Sequence, residues 1–218
     1  PIYNEIECLE KYLDILVTEL IKSGIEFNLI FVCSGCFDGS ENYLKNELKK
    51  FNINYKILIE EKRNGYGSAV KLGISEIQYM NFTIFHIDFQ YTINSIIRIY
   101  RENIDKTIIT FRINNKTNFL RRIQSFFYKK ICGFLFNLNF DDINSIKILE
   151  TKYFSNKTKI FSDSSIIELQ FLIYLKNYSI NYIYAPIALY ERNVGNSKNS
   201  LIYKLDMIFE MIKLKIKS

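Results

Sequence analysis

A few short segments of this 218-residue chain carry side chains whose types and spacing could do chemistry. In His86-Ile87-Asp88-Phe89-Gln90 an imidazole, a carboxylate and an amide oxygen fall on alternate residues at the end of an apolar run. Alternate residues leaving a strand project to one side, so His86, Asp88 and Gln90 can converge on one point. That donor set suits a divalent ion such as Mn²⁺ or Mg²⁺. It is also what a strand-end histidine beside a capping aspartate looks like, and His86 is the only histidine of the chain.

Cys33-Ser34-Gly35-Cys36 has the spacing of a thioredoxin-like redox pair, or of two bystander thiols in a tight loop. Gly65-Tyr66-Gly67 opens a helix and could cradle a pyrophosphate. Val70 stands where the dinucleotide fingerprint has its third glycine, so a tight loop allowing close backbone approach is the better reading. Arg192 and Lys198 flank a flexible Gly195 in a polar segment. They could fold over a diphosphate, the arginine as a fork and the lysine as a point charge, or could simply be solvated.

The elements that must position these groups alternate between strand and helix. Cys8 to Lys22 has apolar residues at helical spacing and stops at Gly24; Ser40 to Phe51 and Ser68 to Tyr79 read as further helices. Phe27 to Val32, Tyr55 to Ile59, Phe82 to Ile87 and Ile108 to Phe111 read as short buried strands. This predicts an α/β fold with a mostly parallel sheet and helices on both faces. Ligands of such sheets bind beyond the carboxyl ends of the strands, where the loops after Val32, Ile59, Ile87 and Phe111 fall. The second half is less regular: Ser165 to Tyr178 reads as a helix, Tyr182 to Ala185 as a strand, and Leu201 to Ile216 as a basic amphipathic helix.

Hydrophobic residues make up 48% of the chain and charged residues 24%, which excludes a disordered segment. The net charge of +6 calls for an anionic partner (nucleic acid, a phosphorylated small molecule or an acidic membrane) or reflects a lysine-rich solvated surface. Four cysteines suit free thiols in a reducing compartment. No apolar run is long enough to cross a bilayer.

Taken together, the segments resemble family 2 glycosyltransferases of the GT-A fold, most closely their dolichol-phosphate mannosyltransferase-like branch. Pro1-Ile2-Tyr3-Asn4-Glu5 is similar to the P-x-Y-N-E after that family's first strand, which places such a strand upstream of Pro1. Val32 to Ser40 sits where the family has V-D-D-G-S-x-D-G-S, Arg63 to Ala69 matches its N-x-G-x-G-x-A loop, and His86 to Gln90 matches D-A-D-L-Q. Thr110-Phe111-Arg112 falls at G-x-R, Asp142 to Lys147 at D-x-N-x-x-K, and Pro186-Ile187 with Arg192 to Lys198 at P-I and R-x-x-G-x-S-K.

The resemblance implies one GT-A domain over residues 1–200, with a nucleotide-sugar half to about residue 112 and an acceptor half beyond it, followed by the helix at 201–218. It implies that Pro1, Tyr3, Glu5, Val32 and Ser34 line the nucleoside pocket, with Gly65 and Ile87 also at the donor. His86, Asp88 and Gln90 would hold Mn²⁺ or Mg²⁺ on the diphosphate, and Arg112, Arg192 and Lys198 would contact phosphates. The catalytic set is then Asp88, Arg112, Arg192 and Lys198. The chemistry implied is inverting transfer from a GDP- or UDP-sugar to a polyprenyl or dolichyl phosphate, at the cytoplasmic face of a membrane and without nucleic acid.

Departures bear on this. Cys33 and Ser34 replace two acids, so the base is left open; His86 replaces an aspartate; Gln170 stands where a glutamate is expected, with Glu168 two places before it. A lipid phosphate is ionised already and tolerates Gln170, whereas a sugar hydroxyl needs a general base that the sequence does not supply. Three other readings remain: a degenerate nucleotide-sugar-binding protein, a transferase acting on a saccharide hydroxyl, and a redox protein using Cys33 and Cys36.

Overall fold

The computed structural model describes residues 1–88, 91–113, 119–154, 161–190 and 201–217. Helix α1 (Ile6–Ser23) leads into strand β1 (Asn28–Ser34), then α2 (Ser40–Glu47) with a 3₁₀ turn at Leu48–Lys50, and β2 (Asn54–Glu60). Next come α3 (Tyr66–Ser75), β3 (Asn81–Thr83), α4 (Ile93–Glu102), β4 (Ile108–Ile113) and α5 (Phe119–Phe136). The chain continues through β5 (Lys147–Glu150), α6 (Thr151–Phe154), α7 (Ile167–Asn177), β6 (Ile183–Ala188) and α8 (Leu201–Lys217).

Leu9, Leu13, Leu16, Val17 and Leu20 recur at the spacing of one helical face, and α1 buries that face completely or nearly so. Burying each such side chain contributes about 1.5–3 kcal/mol. β1 and β2 pair in parallel from Asn28–Asn54 to Ser34–Glu60, and Ile2 forms a parallel bridge to Cys33. The second sheet runs β3-β5-β4-β6. There β4 and β6 are parallel, as expected of a βαβ fold, while β5 lies antiparallel to both of its neighbours.

Two cores lie on opposite faces of this framework. Ile108 belongs to the core built with α1, α2 and α4; its neighbour Ile109 belongs to the one built with α3, α5, α7 and Met211 of α8. Adjacent residues of one strand facing different cores means helices on both faces of the sheet.

One local expectation is corrected. The strand expected over Phe82 to Ile87 ends at Thr83, and its ladder with β5 runs only from Asn81–Glu150 to Thr83–Ile148. Ile84 and Phe85 still pack against opposite cores, so their apolar character records burial without a ladder. Ile87 and Asp88 lie in a turn.

Candidate active site

Tyr66, Lys147 and Glu168 come from three separate elements and meet His86, on the loop after β3, at one place. Tyr66, the first residue of α3, stacks on the His86 ring with centroids 5.9 Å apart and planes at 12°. Its hydroxyl donates to Glu168 Oε1 at 2.9 Å. Lys147 Nζ, at the start of β5, lies 2.8 Å from Glu168 Oε2 and also donates to the Ser145 carbonyl at 3.0 Å. Lys147 is 4% exposed, so its ammonium depends on these partners for the solvation it has lost.

Glu168 sits in the first turn of α7, where a carboxylate is favoured by the helix dipole. Burial pushes its pKa up, but Lys147, His86 and the Tyr66 hydroxyl outweigh that and hold it below the ordinary glutamate value. His86 is exposed to solvent, with the Tyr66 ring packed against one face of its own ring. Desolvation by the surrounding protein holds its pKa below the ordinary imidazole value, against the opposing pull of Glu168 and Asp88. No general base for a sugar hydroxyl was legible in the sequence. Glu168 is the carboxylate that faces His86, while Gln170 uses its Oε1 to accept the Ser162 amide at 2.6 Å.

Of the three expected metal ligands, His86 and Asp88 are described and Gln90 lies outside the described residues. Both do follow β3 closely, but the strand alternation invoked to converge them is absent. Among the described residues no three His, Cys, Asp or Glu side chains gather closely enough to hold a metal ion by themselves. Mg²⁺ sites at diphosphates need only one or two carboxylates besides the phosphate oxygens, so Asp88 fits that role with the substrate supplying the rest.

Arg112 in β4 is gripped by Asp142: its Nε and Nη2 both donate to the carboxylate, the latter at 2.7 Å, and its amide donates to Oδ2 at 3.3 Å. Burial pulls the Arg112 pKa down, but the bidentate pair with Asp142 outweighs it and holds the pKa above its ordinary value, so the guanidinium is fixed in charge and orientation. Beside it is a cavity of about 120 Å³ lined by Phe111, Arg112, Tyr128, Lys129 and Asp142 among others. Arg192 and Lys198 lie outside the described residues.

The N-terminal segment is fastened to the loop after β1. Glu5 donates its amide to Ser40 Oγ at 3.1 Å, Ile6 to Asp38 Oδ2 at 3.0 Å, and Phe37 to Asn4 Oδ1 at 3.0 Å. Tyr3 carries the Arg63 guanidinium 4.0 Å from its ring centroid, beside an edge-on Phe37. This makes an aromatic platform next to Pro1. Val32, by contrast, turns its side chain into the interior toward Gly73 of α3. Ser34 follows two residues later on the same face and is buried.

Gly65 and Gly67 do allow close backbone approach, and the approaching backbone is the chain's own. A Cβ at Gly65 would collide with the Asp163 carbonyl, and one at Gly67 with those of Ser162 and Ser164. Ser68 donates its amide to the Asp163 carbonyl at 3.1 Å. Cys33 and Cys36 are free thiols, and burial pushes Cys33 up to about 12, which leaves it protonated and unsuited to redox attack.

With this geometry, the alternating α/β order and the acidic turn after β3, the comparison with known families is clear. Residues 1–169 match the model of glycosyl transferase family 2. The chain belongs to that family and is a glycosyltransferase, and its mixed α/β sheet with parallel pairs and flanking helices is the GT-A fold. No curated protein matches the chain.

Proposed function

We propose that the protein moves a sugar, with inversion, from a GDP- or UDP-sugar to a polyprenyl phosphate at a membrane face, as the dolichol-phosphate mannosyltransferase-like branch does. The observation that carries this reading is the state of Glu168. Both of its oxygens are engaged, by Tyr66 and Lys147, and it is held ionised. A carboxylate stabilised in that way is a weak base, poorly suited to deprotonating a sugar hydroxyl. A phosphate acceptor brings an oxygen already ionised at neutral pH, so its attack on the anomeric carbon needs no proton removed.

In that step the bond from acceptor oxygen to anomeric carbon forms as the bond to the nucleoside diphosphate breaks. Asp88, with the diphosphate oxygens, would hold Mn²⁺ or Mg²⁺, His86 and Gln90 completing the set. A bound divalent ion stabilises the charge developing on the leaving diphosphate. Arg112, pre-oriented by Asp142, and Arg192 and Lys198 supply fixed positive charge to phosphates. Pro1, Tyr3, Glu5 and Ser34 border the nucleoside, with Gly65 and Ile87 close to the donor. Lys147 and Tyr66 orient Glu168 beside His86.

A lipid acceptor is supported by the surface. On α5, Ile123, Phe126, Phe127, Lys130 and Phe134 fall on one helical face and are exposed, Phe134 by 89%. On α8, Phe209, Ile212 and Ile216 make a second exposed apolar stripe opposite buried Met211, with Lys213 over the Phe209 ring. The two helices touch. Apolar stripes edged by lysine are the chemistry of an interfacial helix at an anionic bilayer. Among the described residues no helix is long and apolar enough to cross a membrane.

The deciding assay supplies UDP- and GDP-sugars with polyprenyl phosphate, with and without Mn²⁺, and follows glycolipid formation. Metal-dependent glycolipid from one donor class is expected. No transfer from any donor would sink the proposal, and faster transfer to a saccharide hydroxyl would replace the acceptor.

A further inference from the structure

Ser34 and Glu60 end the parallel strands β1 and β2 directly opposite each other. In-register residues of parallel strands point to the same face. Ser34 is 4% exposed and its hydroxyl has no hydrogen-bond partner; Glu60 Oε2 is likewise buried and unpartnered. Glu60 Oε1 is occupied, accepting from Ser68 Oγ at 2.6 Å and from Asn64 Nδ2 at 3.4 Å. So the two strand ends hold one unpaired hydroxyl and one unpaired carboxylate oxygen side by side, and neither satisfies the other. Buried polar atoms are almost always paired, and unpaired ones mark a place where a partner belongs. The pair adjoins the aromatic platform of Tyr3: Ser34 donates its amide to the Ile2 carbonyl at 3.0 Å, and Gly35 donates its own to the Glu60 carbonyl at 2.9 Å.

We propose that Ser34 and Glu60 read the base of the donor nucleotide and that the base is uracil. Glu60 Oε2 accepts the ring N–H, and the Ser34 hydroxyl donates to an adjacent carbonyl. Glu60 thereby takes over, from the neighbouring strand, the acid that Cys33 and Ser34 no longer provide. The preference follows from counting acceptors. Only one carboxylate oxygen is free, and uracil offers a single N–H between two carbonyls. Guanine offers a ring N–H and an adjacent amine, and the amine would be buried without an acceptor, a strong ground for rejection.

This inference rests on the nucleotide-sugar reading, and the test separates the two. UDP, GDP and inorganic pyrophosphate are titrated calorimetrically into the wild-type chain, Glu60→Gln and Ser34→Ala, all in one Mn²⁺-containing buffer. UDP should bind wild type at least tenfold more tightly than GDP. Glu60→Gln keeps the acceptor for Ser68 and presents an N–H to the base, so it should weaken UDP by roughly tenfold, the scale of one hydrogen bond to a charged group. Ser34→Ala should weaken UDP severalfold. Pyrophosphate affinity should stay unchanged in both, which shows that the site remains folded. Variants that bind UDP as wild type does would mean that the two atoms hold water only, and GDP preference in wild type would overturn the base assignment. Wild type that binds no nucleotide would instead overturn the donor reading itself.

Discussion

Lys147 Nζ lies 2.8 Å from Glu168 Oε2 at the boundary of the second core, with the lysine side chain 2% exposed and the glutamate 18%. The pair ties β5 to α7 and sets the orientation of the carboxylate that faces His86.

Removing one partner leaves the other as an uncompensated buried charge. Lys147→Met should therefore destabilise the fold by about 3–5 kcal/mol, and adding Glu168→Leu should recover a large part of that loss. Urea unfolding of the single and double variants measures both. A single variant within about 0.5 kcal/mol of wild type would remove the pair from the stability argument.

The same carboxylate predicts a pH dependence. Its folded pKa lies below its ordinary value of 4.5. A depressed carboxylate contributes stability that is fully present above the unfolded pKa and is lost as pH falls through the folded one. Melting temperature should thus drop as pH is lowered below 4.5, and Glu168→Gln should show a flatter profile there. Identical acid profiles for the two proteins would contradict the assignment.

At the donor diphosphate, Asp88→Asn should lower transfer by about 10²–10³-fold while leaving the melting temperature near wild type. His86→Asp restores a second acid and should tighten the apparent affinity for Mg²⁺, read as the metal concentration that gives half-maximal transfer. An unchanged metal response in both variants would exclude this turn from the metal site.

Gly67 tests a purely structural role. Its missing Cβ leaves room for the carbonyls of Ser162 and Ser164. Gly67→Ala should cost about 1–3 kcal/mol by overpacking, even though alanine is the better helix former. A stabilised Gly67→Ala would show that the 162–164 segment yields readily.

The exposed face of α5 gives a surface prediction. Replacing Phe126, Phe127 and Phe134 together by serine should reduce co-sedimentation with vesicles containing anionic lipid by an order of magnitude or more. Thermal stability should change little, since all three side chains are exposed. Equal vesicle binding would remove membrane contact from this face.

The sequence by itself determined the strand–helix alternation, the buried face of α1 and the order of the family's motifs, because each rests on local periodicity or on a short run of residues. Parallel pairing of β1 with β2 and of β4 with β6 followed from that alternation. The extent of β3 did not, since Ile84 and Phe85 look like strand in their apolarity, yet they bury against the two cores and the ladder with β5 stops at Thr83.

The site divides in the same way. His86 and Asp88 were legible from their types and position after an apolar run. Glu168 as the carboxylate facing them was not, although its place two residues before Gln170 was a visible signal. Its partners Tyr66 and Lys147 are 102 and 21 residues away along the chain. Only the packing of α3, β5 and α7 around one point brings a hydroxyl, an ammonium and a carboxylate into hydrogen-bond range. Residue spacing specifies which face of an element a side chain occupies, and tertiary contact alone specifies which distant group it meets there and hence what charge it holds.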